Sequence, residues 1–325
     1  MLRWGIVGLG KIANSFARDI SLLEDNVIKG VASRTMTKAL DFNQNFNLKA
    51  TTYGNYTDLF KDTNIDIVYI ATPHHAHKSL SIEAMQHGKH VLCEKPMAVN
   101  AADTREMIKA ANDNNVFLME ALWSRFNPAI KEVSKLISAG AIGDIKSISA
   151  DFSHQMSNNN IDSRLYNMNL AGGSLLDIGI YPVFLSYLLL GLPDEILATA
   201  LFHKTGADVQ TSAILKYEDA VSMVFSNFES HSDMVAKIYG TEGKIFVNKR
   251  WHEADSFTIE KDRHKELIEV PKIGKGYAHE ILECQNQISG GYIESDIWSH
   301  DDSLNLISIL DQIRAEIGLV YPFEK

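Results

Sequence analysis

A strand, a glycine turn and a helix occupy the first twenty residues, and no other stretch limits the fold as tightly. Leu2 to Val7 is a short apolar run, and Gly8-Leu9-Gly10-Lys11-Ile12-Ala13 follows it directly. Ile12, Phe16 and Ile20 then recur at a spacing of four, one face of a helix expected over Lys11 to Leu23. Gly8 permits the tight turn, Gly10 lets backbone come close to a ligand, and Ala13 is small enough to pack helix on strand. The positive end of that helix is suited to a pyrophosphate, so the turn reads as a dinucleotide fingerprint. A purely structural glycine turn would use the same residues; the strand–turn–helix context is what favours the fingerprint.

The strand–helix alternation continues for about 120 residues, which implies a parallel sheet with crossover helices. Val27 to Ala32, Ile65 to Ala71, Lys89 to Cys93 and Val116 to Ala121 read as further strands. Ala76 to His87 and Ala101 to Asn114 read as helices, the second with Asn100 as N-cap and Asp103 three residues on. Beyond residue 121 the pattern changes. Asn127-Pro128 opens a helix that Gly140 closes. Period-two runs follow at Ile148, Ala150, Phe152, at Ala213, Leu215, Tyr217, at Val221, Met223, Phe225, and across Met234 to Val247. They imply antiparallel strands with one buried face. A last helix is expected over Asp302 to Ile317. The expected organisation is thus an α/β Rossmann domain over residues 1–121. An α+β domain with an open, mainly antiparallel sheet follows over 122–325.

With 325 residues, 45% of them hydrophobic, the chain has enough apolar material for two cores. A net charge of −10 gives no support to nucleic-acid binding. Two cysteines in a chain this long favour a reducing compartment, so a cytoplasmic location is expected. Met1 to Gly10 does not read as a signal peptide. Leu175 to Leu192 is the most apolar stretch but contains Asp177 and Pro182, and reads as a buried helix rather than a membrane span.

The end of the second strand decides the cofactor. A carboxylate there would hold a ribose 2′-hydroxyl and select NAD(H); the sequence instead reads Val31-Ala32-Ser33-Arg34. Arg34 can grip a 2′-phosphate with charge-assisted bonds, Ser33 adds a hydroxyl donor and Lys38 adds charge, so NADP(H) is expected over NAD(H). Arg34 stacking on adenine is the competing reading.

Ligands of parallel α/β sheets bind at the carboxyl ends of the strands. Those ends carry Gly8 and Gly10, then Ser33 and Arg34, then Ala71-Thr72-Pro73-His74-His75-Ala76-His77, then Glu94-Lys95-Pro96, then Trp123 and Arg125. Lys95 is the leading catalytic candidate. Its ammonium can hold a hydroxyl or carbonyl oxygen and stabilise charge on it, with Glu94 orienting it. A surface lysine before a turn proline is the plainer alternative. The histidine run has no supporting carboxylate or cysteine cluster, so no metal is expected; His77 is expected to cap the following helix or touch the cofactor. In Gly172-Gly173-Ser174-Leu175-Leu176-Asp177-Ile178-Gly179-Ile180-Tyr181, Asp177 and Tyr181 lie four apart, on one helix face. Polar groups in so apolar a run need a partner or a task. Tyr181 suits a general acid/base; a purely structural pair is the alternative.

Together, Gly8-x-Gly10-x-x-Ala13, Glu94-Lys95-Pro96 and Gly172-Gly173-x3-Asp177-x-Gly179-x-Tyr181 resemble the Gfo/Idh/MocA oxidoreductase family, in order and over the whole chain. Val91 to Pro96 and Met119-Glu120-Ala121-Leu122-Trp123-Ser124-Arg125-Phe126 resemble its dihydrodiol dehydrogenase and D-xylose 1-dehydrogenase branch. The resemblance implies Lys95 as catalytic lysine, Tyr181 as acid/base, Asp177 as a substrate-positioning group, and Trp123 and Arg125 at the nicotinamide end. It also implies a sugar, polyol or cyclic diol as substrate and a homodimer or higher homo-oligomer formed through the C-terminal sheet. The segment Ser157 to Asn169, with Arg164, departs from the mammalian dihydrodiol enzymes and bears on the substrate. Two other readings of the same fold stay open: a non-catalytic NADP sensor, and a glycosidase or epimerase that recycles its nicotinamide.

Overall fold

A computed structural model describes residues 1–156 and 163–324. The chain divides into two compact units, Met1–Trp123 with Ile273–Leu304, and Ser124–Lys272 with Asn305–Lys325.

The first unit is built on six parallel strands: β1 (Leu2–Val7), β2 (Asn26–Ala32), β3 (Thr51–Tyr53), β4 (Ile67–Ile70), β5 (His90–Glu94) and β6 (Leu118–Ala121). Their order is β3-β2-β1-β4-β5-β6, so the chain reverses its direction of travel across the sheet after β3. Ligands of open parallel sheets gather at such a switch point. All four residues of β4 and of β6 are buried, as expected where helices cover both faces. Five helices connect the strands: α1 (Lys11–Ile20), α2 (Met36–Asn45), α3 (Tyr56–Lys61), α4 (His77–Gln86) and α5 (Ala101–Asn114). The Asn100 side chain accepts from the Asp103 amide at 2.9 Å, the cap that the sequence pattern implies.

Helix α1 stops at Ile20, three residues short of the expected Leu23. The Ser21 hydroxyl donates to the Arg18 carbonyl, and Leu22 and Leu23 close tighter turns onto Asp19 and Ile20. Strand β3 and helices α2 and α3 have no clear sequence signature. Three residues are too few for period two to register, and the first turn of α2 is exposed. A single boundary after Ala121 also omits the return of the chain at Ile273–Leu304. The Asp19 carboxylate anchors that return. It accepts from the amides of Lys275, Gly276, Tyr277 and Ala278 at 2.8–3.3 Å, capping helix Tyr277–Ser289. The two partners are more than 250 residues apart, so no local pattern reveals the pairing.

The second unit holds eight strands: β7 (Ile145–Ser153), β8 (Glu195–Phe202), β9 (Asp208–Lys216), β10 (Val221–Asn227), β11 (Ala236–Gly240), β12 (Gly243–Val247), β13 (Ser256–Lys261) and β14 (His264–Glu269). The order is β14-β13-β12-β11-β7-β10-β9-β8, with β7 and β10 parallel and the other neighbours antiparallel. Helix Pro128–Ser138 starts as expected, with the Asn127 side chain accepting from Ala129 and Ile130.

The face of β10 is the reverse of the expected one. Val221 and Met223 are exposed, and Ser222, Val224 and Ser226 point inward. The inward serines receive the apolar helix: Ser186 Oγ lies 2.6 Å from Ser222 Oγ, and Ser174 Oγ lies 2.9 Å from Ser226 Oγ. A methyl group on Gly179 would come within 3.0 Å of Ser226 Oγ. Small residues on both sides therefore allow a close approach that Met223 would block. The stretch Met168–Leu190 is apolar and long enough to cross a membrane by composition, but 78% of its most apolar window is buried inside the protein.

Candidate active site

The carboxyl ends of β1, β2, β4, β5 and β6 carry the first set of candidates. Gly8 has φ +90°, and a methyl group there would meet the Ala71 carbonyl oxygen at 2.6 Å, so the β1 turn needs glycine. Around the Cβ position of Gly10, by contrast, nothing among the described residues lies within 4 Å. Gly10 is the N-cap of α1 and no side chain caps that end, so the amides of Lys11 and Ile12 remain for a ligand. The residues present thus fit a dinucleotide pyrophosphate: an open glycine face in front of an uncapped helix start.

At the end of β2, Ser33 is buried and its amide donates to the Tyr53 carbonyl. Arg34 is exposed, as is Lys38 on α2. Arg34 still acts on its surroundings: burial lowers the pKa of His75 and the charge of Arg34 adds to that, while burial raises the pKa of Tyr56 against the opposing charge of Arg34. No carboxylate occupies this strand end.

At the end of β4, Ala71 is buried, and the Thr72 hydroxyl is buried without a hydrogen-bond partner among the described residues. His77 is fully buried and does not cap α4. Its Nδ1 lies 2.9 Å from the Pro96 carbonyl and its Nε2 lies 2.9 Å from the Thr72 carbonyl. Burial pulls its pKa down to about 4 against the opposing effect of those two carbonyls. Both ring nitrogens face backbone carbonyls; the neutral ring has one N–H and donates to one of them, so His77 sits between the β4 and β5 loops.

Lys95 follows β5 and is buried, only 8% exposed. Carboxylates flank its loop on two sides. Glu94, also buried, accepts a hydrogen bond from the Tyr69 hydroxyl. Glu120, on β6, accepts from the Met97 amide at 2.8 Å and from the Trp298 indole at 3.1 Å. Behind Glu94, Glu280 is fully buried, and burial followed by the charge of Glu94 raises its pKa well above the ordinary range. Trp123 is buried and stacks on Tyr277, ring centroids 4.7 Å apart.

The second unit holds Arg125, Asp177 and Tyr181. Arg125 is half-buried. Asp177 and Tyr181 do not lie on one continuous α-helix as the spacing suggests. A π-helical turn, Leu175–Gly179, contains Asp177 and runs into helix Ile180–Leu190, which begins just before Tyr181. Pro182 has no amide to donate, so an α-helical ladder is interrupted at this point. Such π turns frequently mark functional sites. Asp177 pairs with Arg164 at 3.0 Å. Of the departing segment, Ser157 to Asp162 lies outside the described residues.

The start of this turn is held by Asp208, a residue without a motif to announce it. One carboxylate oxygen accepts from Ser174 Oγ, the Leu175 amide and Thr211 Oγ at 2.7–2.8 Å. Tyr181 is buried against Phe152 and His252, with ring centroids 5.4 Å away in each case. Phe152 and His252 stack at 4.2 Å. His252 is a site neighbour that the sequence does not disclose, because its place depends on the loop after β12.

Comparison with known proteins decides the family. The model described as "Oxidoreductase family, NAD-binding Rossmann fold" matches residues 2–122, and the GFO/IDH/MocA C-terminal domain matches 130–246. The chain belongs to the Gfo/Idh/MocA oxidoreductase family. Within it, the chain is 37% identical to a mouse trans-1,2-dihydrobenzene-1,2-diol dehydrogenase, covering all of this chain and 99% of that protein. The human protein of the same name is 33% identical, over all of this chain and 99% of its own length. Among solved structures, KijD10, a 3-ketoreductase from Actinomadura kijaniata in complex with NADP and TDP-benzene, aligns with a TM-score of 0.88. Identity there is 24%, over 97% of this chain and 98% of that one. A levoglucosan dehydrogenase in complex with NADH and levoglucosan gives 0.87 at 23% identity, over 98% and 97%. At these identities the structural likeness speaks to the fold.

Proposed function

We propose that the protein is an NADP(H)-dependent dehydrogenase that moves a hydride between the nicotinamide and a hydroxyl-bearing carbon of a sugar, polyol or cyclic diol. One observation carries the reading: a buried lysine closes β5 of the same sheet whose β1 end is an open glycine turn before an uncapped helix. The curated relatives named for a dihydrodiol support the substrate class.

When bound, the dinucleotide supplies the hydride acceptor or donor. Gly8, Gly10, Lys11 and Ile12 hold its pyrophosphate. Ser33, Arg34 and Lys38 hold the 2′-phosphate, in place of the carboxylate that an NAD site uses. Ala71, Thr72 and Glu94 line its path, with His77 fixing Thr72 from behind. Trp123 and Arg125 border the nicotinamide. Lys95 steadies the substrate oxygen and the negative charge that develops on it. Tyr181 takes the hydroxyl proton in the oxidative direction, and Asp177, paired with Arg164, orients the substrate.

We further place the protein in the cytoplasm, where its two buried free thiols, Cys93 and Cys284, stay reduced. We also read it as a homodimer through the outer face of the second sheet. There Leu197, Ile214 and Met223 form one exposed row across β8, β9 and β10.

The test is NADP⁺ reduction over a panel of aldoses, inositols and cyclic diols, with NAD⁺ in parallel. The reading requires turnover of at least one class with NADP⁺ preferred. Nucleotide binding without turnover on any member would favour a sensor instead.

A further inference from the structure

Glu120 stands apart from the other groups near Lys95 because it reaches the Lys95 loop from the opposite face of the sheet. In the β5–β6 ladder, Cys93 pairs with Glu120 and Glu94 pairs with Ala121. Paired residues of a parallel ladder share a face, so Glu94 and Glu120 leave the sheet on opposite sides. The Glu94 side carries its partner Tyr69, with Phe16 stacked on Tyr69 at 3.9 Å. On the other side Glu120 holds the Met97 amide, two residues past Lys95, and is itself held by Trp298. The neighbouring carbonyl, that of Pro96, lies 2.9 Å from His77 Nδ1. Ser303 also donates to the Glu120 carboxyl, and Lys95 is close enough to act on it electrostatically. Glu120, Trp298 and Ser303 are each about 2% exposed, so little solvent competes for these bonds.

We propose that Glu120 is a positioning residue for Lys95: its carboxylate grips the Met97 amide and so fixes the loop that aims the ammonium, while Trp298 and Ser303 fix the carboxylate. This rests on the reading of Lys95 as the group at the reacting oxygen. A carboxyl with one oxygen on the loop and the other on Trp298 locks the loop to the returning segment of the chain. A small error in the position of a catalytic group has a large effect on turnover. Nucleotide affinity depends chiefly on the glycine turn and β2, which Glu120 does not touch.

Four variants test it, each measured for turnover, substrate KM and NADPH dissociation constant with binding stoichiometry. Glu120→Leu removes the acceptor at similar size. Its expected kcat is lower by about 30-fold or more, with one NADPH bound per chain and an affinity within about threefold of the parent. Glu120→Gln keeps an acceptor for Met97 but turns an amide donor toward the indole N–H, and is expected to lose about tenfold. Adding Trp298→Phe to Glu120→Gln removes that conflict but also the indole's hold, and is expected to recover kcat in part, to about threefold above Glu120→Gln. Lys95→Met separates the two layers of the account. Near-parental turnover there overturns the role of Lys95. A dead Lys95→Met beside Glu120 variants with parental kcat overturns only the role of Glu120. If Glu120→Leu fails to fold, the order of Gln below Gln/Phe still decides, and equal kcat in those two overturns the proposal.

Discussion

Substituting Asp208 by Asn should change how stability depends on pH, by an amount that the structure sets. The Asp208 carboxyl is fully buried with three donors on one oxygen, and burial raises its pKa from 3.8 to about 6. The folded protein therefore binds this proton more tightly than the unfolded chain does. Its contribution to stability is complete below about pH 3.8 and is lost as pH rises through about 6. Linkage gives about 1.4 kcal/mol of stabilisation at pH 5 and close to zero at about pH 7.5. Asn keeps an oxygen for Ser174, the Leu175 amide and Thr211 but does not titrate in this range. Urea denaturation of both proteins at the two pH values reads the difference. The parent's stability relative to Asp208→Asn should fall by about 1.4 kcal/mol from the lower pH to the higher. Carboxylates held low by partners, such as Asp66 beside Arg3, oppose this trend in each protein and cancel in the comparison. A relative stability constant within about 0.3 kcal/mol would refute the reasoning, since Asp208 would then ionise as it does in the unfolded chain.

Arg34→Ala should raise the KM for NADP⁺ by about 10- to 100-fold and leave that for NAD⁺ nearly unchanged, because only the 2′-phosphate uses the guanidinium. Equal losses with both cofactors, in steady-state kinetics, would place Arg34 on the adenine. Glu280→Leu should stabilise the protein at pH 8 by about 1–3 kcal/mol in denaturant titrations, since both carboxyl oxygens are buried without a hydrogen-bond partner among the described residues. The gain should shrink toward acid pH, where the carboxyl is neutral in the unfolded chain as well and only the cost of its unpaired burial remains. A destabilised Glu280→Leu at pH 8 would show that the carboxyl has a partner worth keeping.

The parts of the site that were legible are those whose chemistry demands particular residues at adjacent positions. Gly8 is readable because φ +90° and the Ala71 carbonyl leave room for no other residue. For Lys95 the strand pattern gives the place at the end of β5, and the burial of the side chain, which the sequence leaves open between a surface turn lysine and a site lysine, comes from the structure. Glu120 and Asp208 were not legible in the same way: the partners of Glu120 lie 23 and 178 residues away, those of Asp208 other than Thr211 lie 33–34 residues away, and a buried carboxyl carries no signature without them. Ser222 and Met223 show where periodicity misleads. Apolar alternation along β10 implies that Met223 faces the core, yet the serine face is buried because a helix packs too closely for larger side chains. The π turn at Asp177 was hidden for a related reason, since Pro182 fits an apolar helix pattern while denying it an unbroken hydrogen-bond ladder.

Lys95→Met, assayed for both NADPH binding and turnover on the substrate found in the NADP⁺ screen, tests the centre of the account. The NADPH dissociation constant should stay within about threefold of the parent, and kcat should fall by at least about 100-fold. Turnover within tenfold of the parent, with the nucleotide still bound, would contradict it.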